Sequence, residues 1–141
     1  MEGGVSKVIL IEDDFQLGDV VTAFLEMHKR EVSLCETASD ALEKIKNNQF
    51  ECIILDLNLP DEDGLVLLRK IRNFNSCPVI ICSARRSIED MIAGFKFGAQ
   101  DYLPKPYSAK ELILRISNLI SLTTNKRKEP ITKERHLSFE Q

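Results

Sequence analysis

Acidic residues come directly after two short apolar segments of the sequence. Glu12, Asp13 and Asp14 follow the first segment. Asp56 follows the third. If these segments are neighbouring parallel strands, about 4.8 Å apart, the carboxylates converge at one edge of a sheet. Carboxylates this close repel one another and raise their own pKa values unless a cation neutralises them. Oxygen ligands of this kind suit Mg²⁺, which completes its octahedron with water and a phosphate.

A hydroxyl and a positive charge fall at the ends of two further apolar segments. Ser83 directly follows the fourth segment, and Lys105 lies just beyond the fifth. Acids, one lysine and one hydroxyl at the same sheet edge are typical of a phosphoryl site. The sequence has no Gly-rich loop that would cradle a nucleotide, so the phosphoryl group must arrive on another molecule.

Each of these residues also has a simpler interpretation. Asp14 is as well placed to cap the next helix as to act as a ligand at the site, and residues 61–63 (DED) are typical of a turn. Lys105 alone would be a surface lysine, and Tyr102 alone a half-buried aromatic residue. The prediction of a site therefore depends on their coincidence at matching strand ends.

Five apolar segments alternate with five stretches of helical periodicity. The first helical stretch, for example, repeats apolar residues at Leu17, Val21 and Leu25. Ser39 is the predicted N-cap of the second helix. The predicted strands are residues 7–11, 32–36, 52–55, 79–82 and 101–103.

This alternation predicts an α/β protein. Apolar strands joined by helices indicate a parallel sheet covered on both faces, and right-handed crossovers leave few topologies. We predict a doubly wound (βα)5 flavodoxin-like fold with a five-stranded parallel sheet in the order 2-1-3-4-5. Ligands bind such sheets where the strand order reverses, here between strands 1 and 3. Residues 1–121 form the predicted domain. Residues 122–141 are interpreted as a charged linker or the truncated start of an effector domain.

Composition excludes several classes of protein. The 141 residues carry a net charge of −3, divided into −5 for residues 1–121 and +2 for the remainder. The acidic body is therefore not expected to bind nucleic acid. No apolar run approaches the ~20 residues of a membrane span. The four cysteines have no zinc-ligand spacing and are interpreted as buried, reduced thiols. Reduced thiols favour a location in the reducing cytoplasm.

Four segments of the sequence resemble one known family. ILIEDD (9–14), ILDLNLPDEDG (54–64), ICSAR (81–85) and GAQDYLPKPY (98–107) are similar to the signature segments of the response-regulator receiver domain of two-component signalling. The resemblance covers residues 7–121. It implies a domain that accepts a phosphoryl group from a sensor histidine kinase. It also implies no enzymatic activity beyond slow self-dephosphorylation.

The resemblance assigns roles at the predicted sheet edge. It implies that Asp56 is the phosphoacceptor and that Glu12 and Asp13 hold Mg²⁺ together with Asp56. The backbone carbonyl of Asn58 is implied to complete the metal site, and Lys105 to bind the phosphoryl group.

The resemblance also implies a switch. Ser83 stands where the family has Ser or Thr, and Tyr102 stands at an aromatic switch position. Phosphorylation is then expected to repack the face formed by helix 4, strand 5 and helix 5. Pro106 matches a family position that follows a cis peptide bond.

The segment SAKELILRI (108–116) is similar to the fifth helix of receivers fused to winged-helix DNA-binding domains. This implies a phosphorylation-dependent homodimer with Asp101, Glu111 and Arg115 in its surface, and Asp101 and Arg115 paired across a two-fold axis. Met91 stands where a basic partner of Glu111 is common, so the ion-pair network is incomplete. DNA would be bound only through an effector domain beyond this chain, and no membrane is expected as a partner.

Other classes of protein remain open. A stand-alone receiver would act by protein–protein contact alone, and a pseudo-receiver would only bind partners. A haloacid-dehalogenase-like phosphatase needs a second Asp where this sequence has Asn58. A flavodoxin-like cofactor carrier needs a phosphate-binding loop where this sequence has Glu12, Asp13 and Asp14.

Overall fold

Five strands and five helices alternate along the chain in the computed structural model, which describes residues 6–128. The strands are β1 (Ser6–Ile11), β2 (Arg30–Cys35), β3 (Cys52–Leu55), β4 (Val79–Ser83) and β5 (Asp101–Pro104). The helices are α1 (Phe15–Met27), α2 (Ala38–Asn47), α3 (Gly64–Arg72), α4 (Ile88–Lys96) and α5 (Ala109–Lys128).

All five strands pair in parallel, in the order β2-β1-β3-β4-β5. The predicted doubly wound fold is therefore confirmed. Ile11 of β1 lies opposite Leu55 of β3, so these two neighbouring strands end level with each other. The residues that follow them, Glu12 and Asp56, consequently emerge at the same sheet edge.

Both faces of the sheet are covered by apolar side chains. Ile9, Ile11 and their counterparts on β3 and β4 pack against α2 and α3. Val8 and Leu10 point to the other face, towards α1 and α5. This alternation follows from the period of two along a strand. Two apolar cores thus hold the sheet between two layers of helices.

The predicted N-cap of α2 was wrong. Thr37, and not Ser39, caps this helix by accepting a hydrogen bond from the Asp40 N–H at 3.1 Å. Ser39 lies inside the first turn, where its N–H donates to Asp61 Oδ2 at 3.0 Å. Both residue types are good caps, so the sequence did not distinguish them.

The fifth helix continues past residue 121 into the predicted linker and reaches Lys128. Lys and Arg are good helix formers, and the first proline beyond residue 121 is Pro130. The rest of the predicted linker, residues 129–141, lies outside the described residues. Within residues 6–128, no helix combines the length and the apolar character that a membrane span requires.

Candidate functional site

Three carboxylates meet at the carboxyl edge of the sheet. One oxygen each of Glu12, Asp13 and Asp56 lies within 4.8 Å of the other two. Glu12 and Asp56 are only 3% and 4% exposed, whereas Asp13 is exposed. Three oxygen donors, one of them open to solvent, fit a hard divalent cation such as Mg²⁺. The strand register positions two of these acids, because the Asp56 N–H donates to the Ile11 carbonyl at 3.0 Å.

Lys105 bridges the two buried acids. Its Nζ lies 2.8 Å from Glu12 Oε1 and 3.0 Å from Asp56 Oδ2. Burial raises the pKa of Glu12, and the hydrogen bond from Lys105 only partly offsets this. Burial lowers the pKa of Lys105, but its hydrogen bonds to Glu12 and Asp56 outweigh this effect and leave the pKa above its usual value. The lysine is therefore held as a cation within reach of any group added to Asp56.

The backbone around Asp56 is packed tightly against α3. A Cβ atom on Gly64 would lie 2.6 Å from Leu57 Cα and 2.7 Å from the Asp56 carbonyl oxygen. Glycine therefore permits this close approach, and the Gly64 N–H donates to the Leu57 carbonyl at 2.8 Å. Asn58 N–H donates to Asp56 Oδ1 at 3.2 Å. These contacts place Asn58 at the site and fix the orientation of the Asp56 carboxylate.

The neighbouring acids act as helix caps. Asp14 Oδ1 accepts from the Leu17 N–H at 3.1 Å and so caps α1, while the Asp14 N–H donates to Glu12 Oε2 at 3.0 Å. Asp63 caps α3 by accepting from the Leu65 N–H at 2.8 Å. The structure thus resolves the open alternative for Asp14 in favour of a cap that also orients Glu12.

Asp61 does more than form a turn. Its two carboxylate oxygens accept from the N–H groups of Ala38 and Ser39 at 2.8 and 3.0 Å. These backbone hydrogen bonds, first that of Ala38 and then that of Ser39, lower the pKa of Asp61. Asp61 therefore ties the β3–α3 connection to the start of α2.

Ser83 and Tyr102 are linked through the backbone of Arg85. Ser83 is fully buried at the end of β4, and its Oγ accepts from the Arg85 N–H at 3.2 Å. The Tyr102 hydroxyl donates to the Arg85 carbonyl at 2.6 Å. A Cβ atom on Gly94 would lie 3.3 Å from the Tyr102 ring, so this glycine makes room for the buried ring. Sequence reasoning assigned Ser83 and Tyr102 to a switch but gave Arg85 no role.

The connection after β5 brings Lys105 back to the sheet edge. The Lys105 N–H donates to the Ser83 carbonyl at 2.8 Å, which places the lysine next to the predicted switch serine. The peptide bond between Lys105 and Pro106 is cis, as the resemblance implied.

The three residues of the predicted dimer surface are paired within one chain. Arg115 Nη1 lies 2.8 Å from Asp101 Oδ1, and Nη2 lies 2.9 Å from Glu111 Oε2. In this single chain the Asp101–Arg115 pair is intramolecular, and the expected pairing across a two-fold axis stays a prediction. The reason is local, because Arg115 faces β5 and follows Glu111 by one helical turn. Met91 lies partly buried against the core, and its uncharged side chain cannot form an ion pair with Glu111.

Comparisons with known proteins agree with this geometry. The family model described as "Response regulator receiver domain" matches residues 8–117. The "Transcriptional regulatory protein CpxR homolog" of Haemophilus influenzae is 33% identical over 116 residues, which cover 82% of this chain and 51% of that protein. The chain spans about half the length of the curated relatives it matches.

Solved structures share the fold. A CheY-like response regulator receiver domain protein from Methanospirillum hungatei JF-1 has a TM-score of 0.84 at 26% identity, covering 87% of this chain and 99% of its own. The receiver domain of Francisella response regulator 1452 has a TM-score of 0.80 at 35% identity, covering 84% of this chain and 98% of its own.

Proposed function

Because this chain belongs to the response regulator receiver domain family, we propose that it is the phosphoacceptor domain of a two-component response regulator. Asp56 receives the phosphoryl group from a sensor histidine kinase. The observation that carries this proposal is the Lys105 bridge between Asp56 and Glu12 at an edge where three carboxylates converge. The chain acts as a phosphoacceptor and not as an enzyme with multiple turnovers.

Transfer begins with the Asp56 carboxylate at the sheet edge. One of its oxygens attacks the phosphorus of a phosphohistidine, the new O–P bond forms, and the P–N bond breaks with its electron pair returning to the imidazole. Lys105, already 3.0 Å from Asp56 Oδ2, then pairs with an oxygen of the phosphoryl group. The buried Ser83 hydroxyl can move to donate to a second phosphoryl oxygen, and this movement alters the hydrogen bond that its Oγ accepts from the Arg85 N–H.

The acidic residues form the proposed metal site. Glu12, Asp13 and Asp56 would hold Mg²⁺, together with the backbone carbonyl of Asn58. When bound, the ion neutralises negative charge on the transferring group. Glu12 is held in place by the Asp14 N–H and by Lys105, so the chain presents its oxygens in a fixed orientation.

The proposed output is a change in the face formed by α4, β5 and α5. Exposed apolar side chains lie on α4, where Ile88, Ile92 and Phe95 are 68%, 60% and 47% exposed. We propose that phosphorylation alters the hydrogen bonds that join Ser83 to Tyr102, and that this face then forms a homodimer. Sedimentation with and without beryllofluoride tests the dimer, and a monomer under both conditions at high concentration contradicts it.

Relatives of this chain suggest what the face controls. The CpxR homolog named above, a transcriptional regulatory protein, is about twice as long as the matched region. We propose that the phosphorylated receiver regulates transcription through a DNA-binding effector domain. The exposed α4 side chains also suit a second candidate, a stand-alone receiver that acts by protein–protein contact.

Intact-mass analysis after incubation with acetyl phosphate tests the phosphoacceptor. We expect the wild type to gain one phosphoryl group with Mg²⁺ and none with a chelator. Asp56→Asn should gain none under either condition. Asp61→Asn is the matched control, since it neutralises a nearby acid that contacts α2 instead, and it should be phosphorylated as the wild type is. An equal mass gain in Asp56→Asn would contradict the assignment.

A further inference from the structure

Arg85 lies in the connection between β4 and α4, and its guanidinium bridges two acids on different helices. Nη1 lies 2.9 Å from Asp63 Oδ2, and Nη2 lies 2.8 Å from Asp90 Oδ1. Asp63 is the N-cap of α3, and Asp90 lies in the first turn of α4. The planar fork of arginine suits this arrangement, because each terminal nitrogen donates to a separate carboxylate.

Both acids are anchored by their second oxygen. Asp63 Oδ1 accepts from the Leu65 N–H at 2.8 Å, and Asp90 Oδ2 accepts from the Ser87 hydroxyl at 3.0 Å. The hydrogen bond from Arg85, followed by that from Ser87, lowers the pKa of Asp90. The guanidinium is therefore held between two fixed helix N-termini, so the position of the Arg85 backbone is also restricted.

The backbone of Arg85 joins the two predicted switch residues. Its N–H donates to Ser83 Oγ, and its carbonyl accepts from the Tyr102 hydroxyl. We propose that Arg85 is a positioning residue whose guanidinium bridge to Asp63 and Asp90 keeps the Arg85 carbonyl in place and thereby keeps Tyr102 buried. Only the link from this bridge to phosphorylation rests on the proposed function; the effect on Tyr102 does not.

The burial of Tyr102 is directly measurable. The chain has no tryptophan and two tyrosines, so in a Tyr107→Phe background all tyrosine fluorescence comes from Tyr102. Arg85→Gln removes both ion pairs, and each partly exposed pair changes an equilibrium by at most about fivefold. We expect acrylamide to quench Tyr102 fluorescence several-fold more strongly in Arg85→Gln. Lys96→Gln is the control, since it removes the same charge from an exposed position on α4, and its quenching should match the background protein.

A second pair of variants separates the bridge from a general loss of structure. Asp63→Asn and Asp90→Asn each remove one ion pair, while asparagine still provides a side-chain oxygen for the cap or for Ser87. Each should raise quenching. Neither should raise it further in the Arg85→Gln background. Unchanged quenching in Arg85→Gln, or fully additive effects of the three substitutions, would overturn the proposal.

A third arm keeps this inference separate from the proposed function. Beryllofluoride with Mg²⁺ is added to the background protein and to Arg85→Gln, and quenching is measured again. We expect a change in the background protein and a reduced change in Arg85→Gln. If beryllofluoride changes neither protein while Arg85→Gln alone raises quenching, the link to phosphorylation fails and the positioning role of Arg85 stands.

Discussion

Replacing Lys105 by methionine tests the charge balance of the candidate site. The substitution keeps a side chain of similar length and removes a cation that contacts both Glu12 and Asp56. Two nearly buried carboxylates then face each other without that partner. Because an unpaired buried charge loses hydration without compensation, we expect Lys105→Met to lower the free energy of unfolding.

The expected magnitude follows from the burial of the three side chains. Breaking a buried ion pair costs about 3–5 kcal/mol. The side chains of Glu12 and Asp56 are 3% and 5% exposed, but that of Lys105 is 18% exposed, so water already screens part of the interaction. We therefore expect a loss of about 3 kcal/mol, at the lower end of that range.

Urea unfolding at neutral pH with a metal chelator measures this loss. Lys70→Met is the matched control, because Lys70 forms an even shorter ion pair with Glu62, at 2.6 Å, but its side chain is 49% exposed. That pair should contribute less than about 1 kcal/mol. Adding Mg²⁺ should narrow the gap between Lys105→Met and the wild type, since the ion neutralises the same carboxylates. Equal stability of the two lysine variants would refute this reasoning.

Three further outcomes follow from the site. Asp13→Ala should stabilise the metal-free protein by relieving repulsion, yet abolish the rise in melting temperature caused by Mg²⁺; a destabilised metal-free variant would show that the acid is structural. Burial raises the pKa of Glu12 above its usual value, so its contribution to stability is present at low pH and lost as pH rises through the folded-state pKa. Glu12→Gln should therefore flatten the pH dependence of urea unfolding above about pH 4.5, and an unchanged profile would contradict this. Gly64→Ala should cost about 1–3 kcal/mol of unfolding free energy because its Cβ meets backbone. Gly18→Ala, whose Cβ meets only the Leu34 side chain, should cost less, and equal losses would count against the close approach.

The sheet and the meeting of acids at its edge could be predicted from the sequence. Strands buried on both faces leave an unmistakable apolar pattern, and parallel pairing forces the residues after β1 and β3 together. Glu12 and Asp56 therefore become neighbours whatever the details of side-chain packing. The contact of Lys105 with both acids follows from its place just beyond β5.

Other contacts depend on three-dimensional geometry that local patterns do not encode. Asp61 reaches the start of α2 from 22 and 23 residues away. Arg85 pairs with Asp63, which is 22 residues away in the sequence, as well as with nearby Asp90. Arg115 pairs within its own chain because α5 packs beside β5. The continuation of α5 into the predicted linker was not predicted, since a helix can extend past the core, where apolar periodicity no longer marks it.

Chemical mapping of the phosphoryl group tests the central claim most directly. Borohydride reduces an acyl phosphate to an alcohol, which converts a phosphorylated aspartate to homoserine. After phosphorylation by acetyl phosphate with Mg²⁺, we expect peptide sequencing by mass spectrometry to find homoserine at position 56 and aspartate unchanged at positions 13 and 61. Homoserine at another acidic position, or none at position 56 in protein that has gained the phosphoryl mass, would contradict the account.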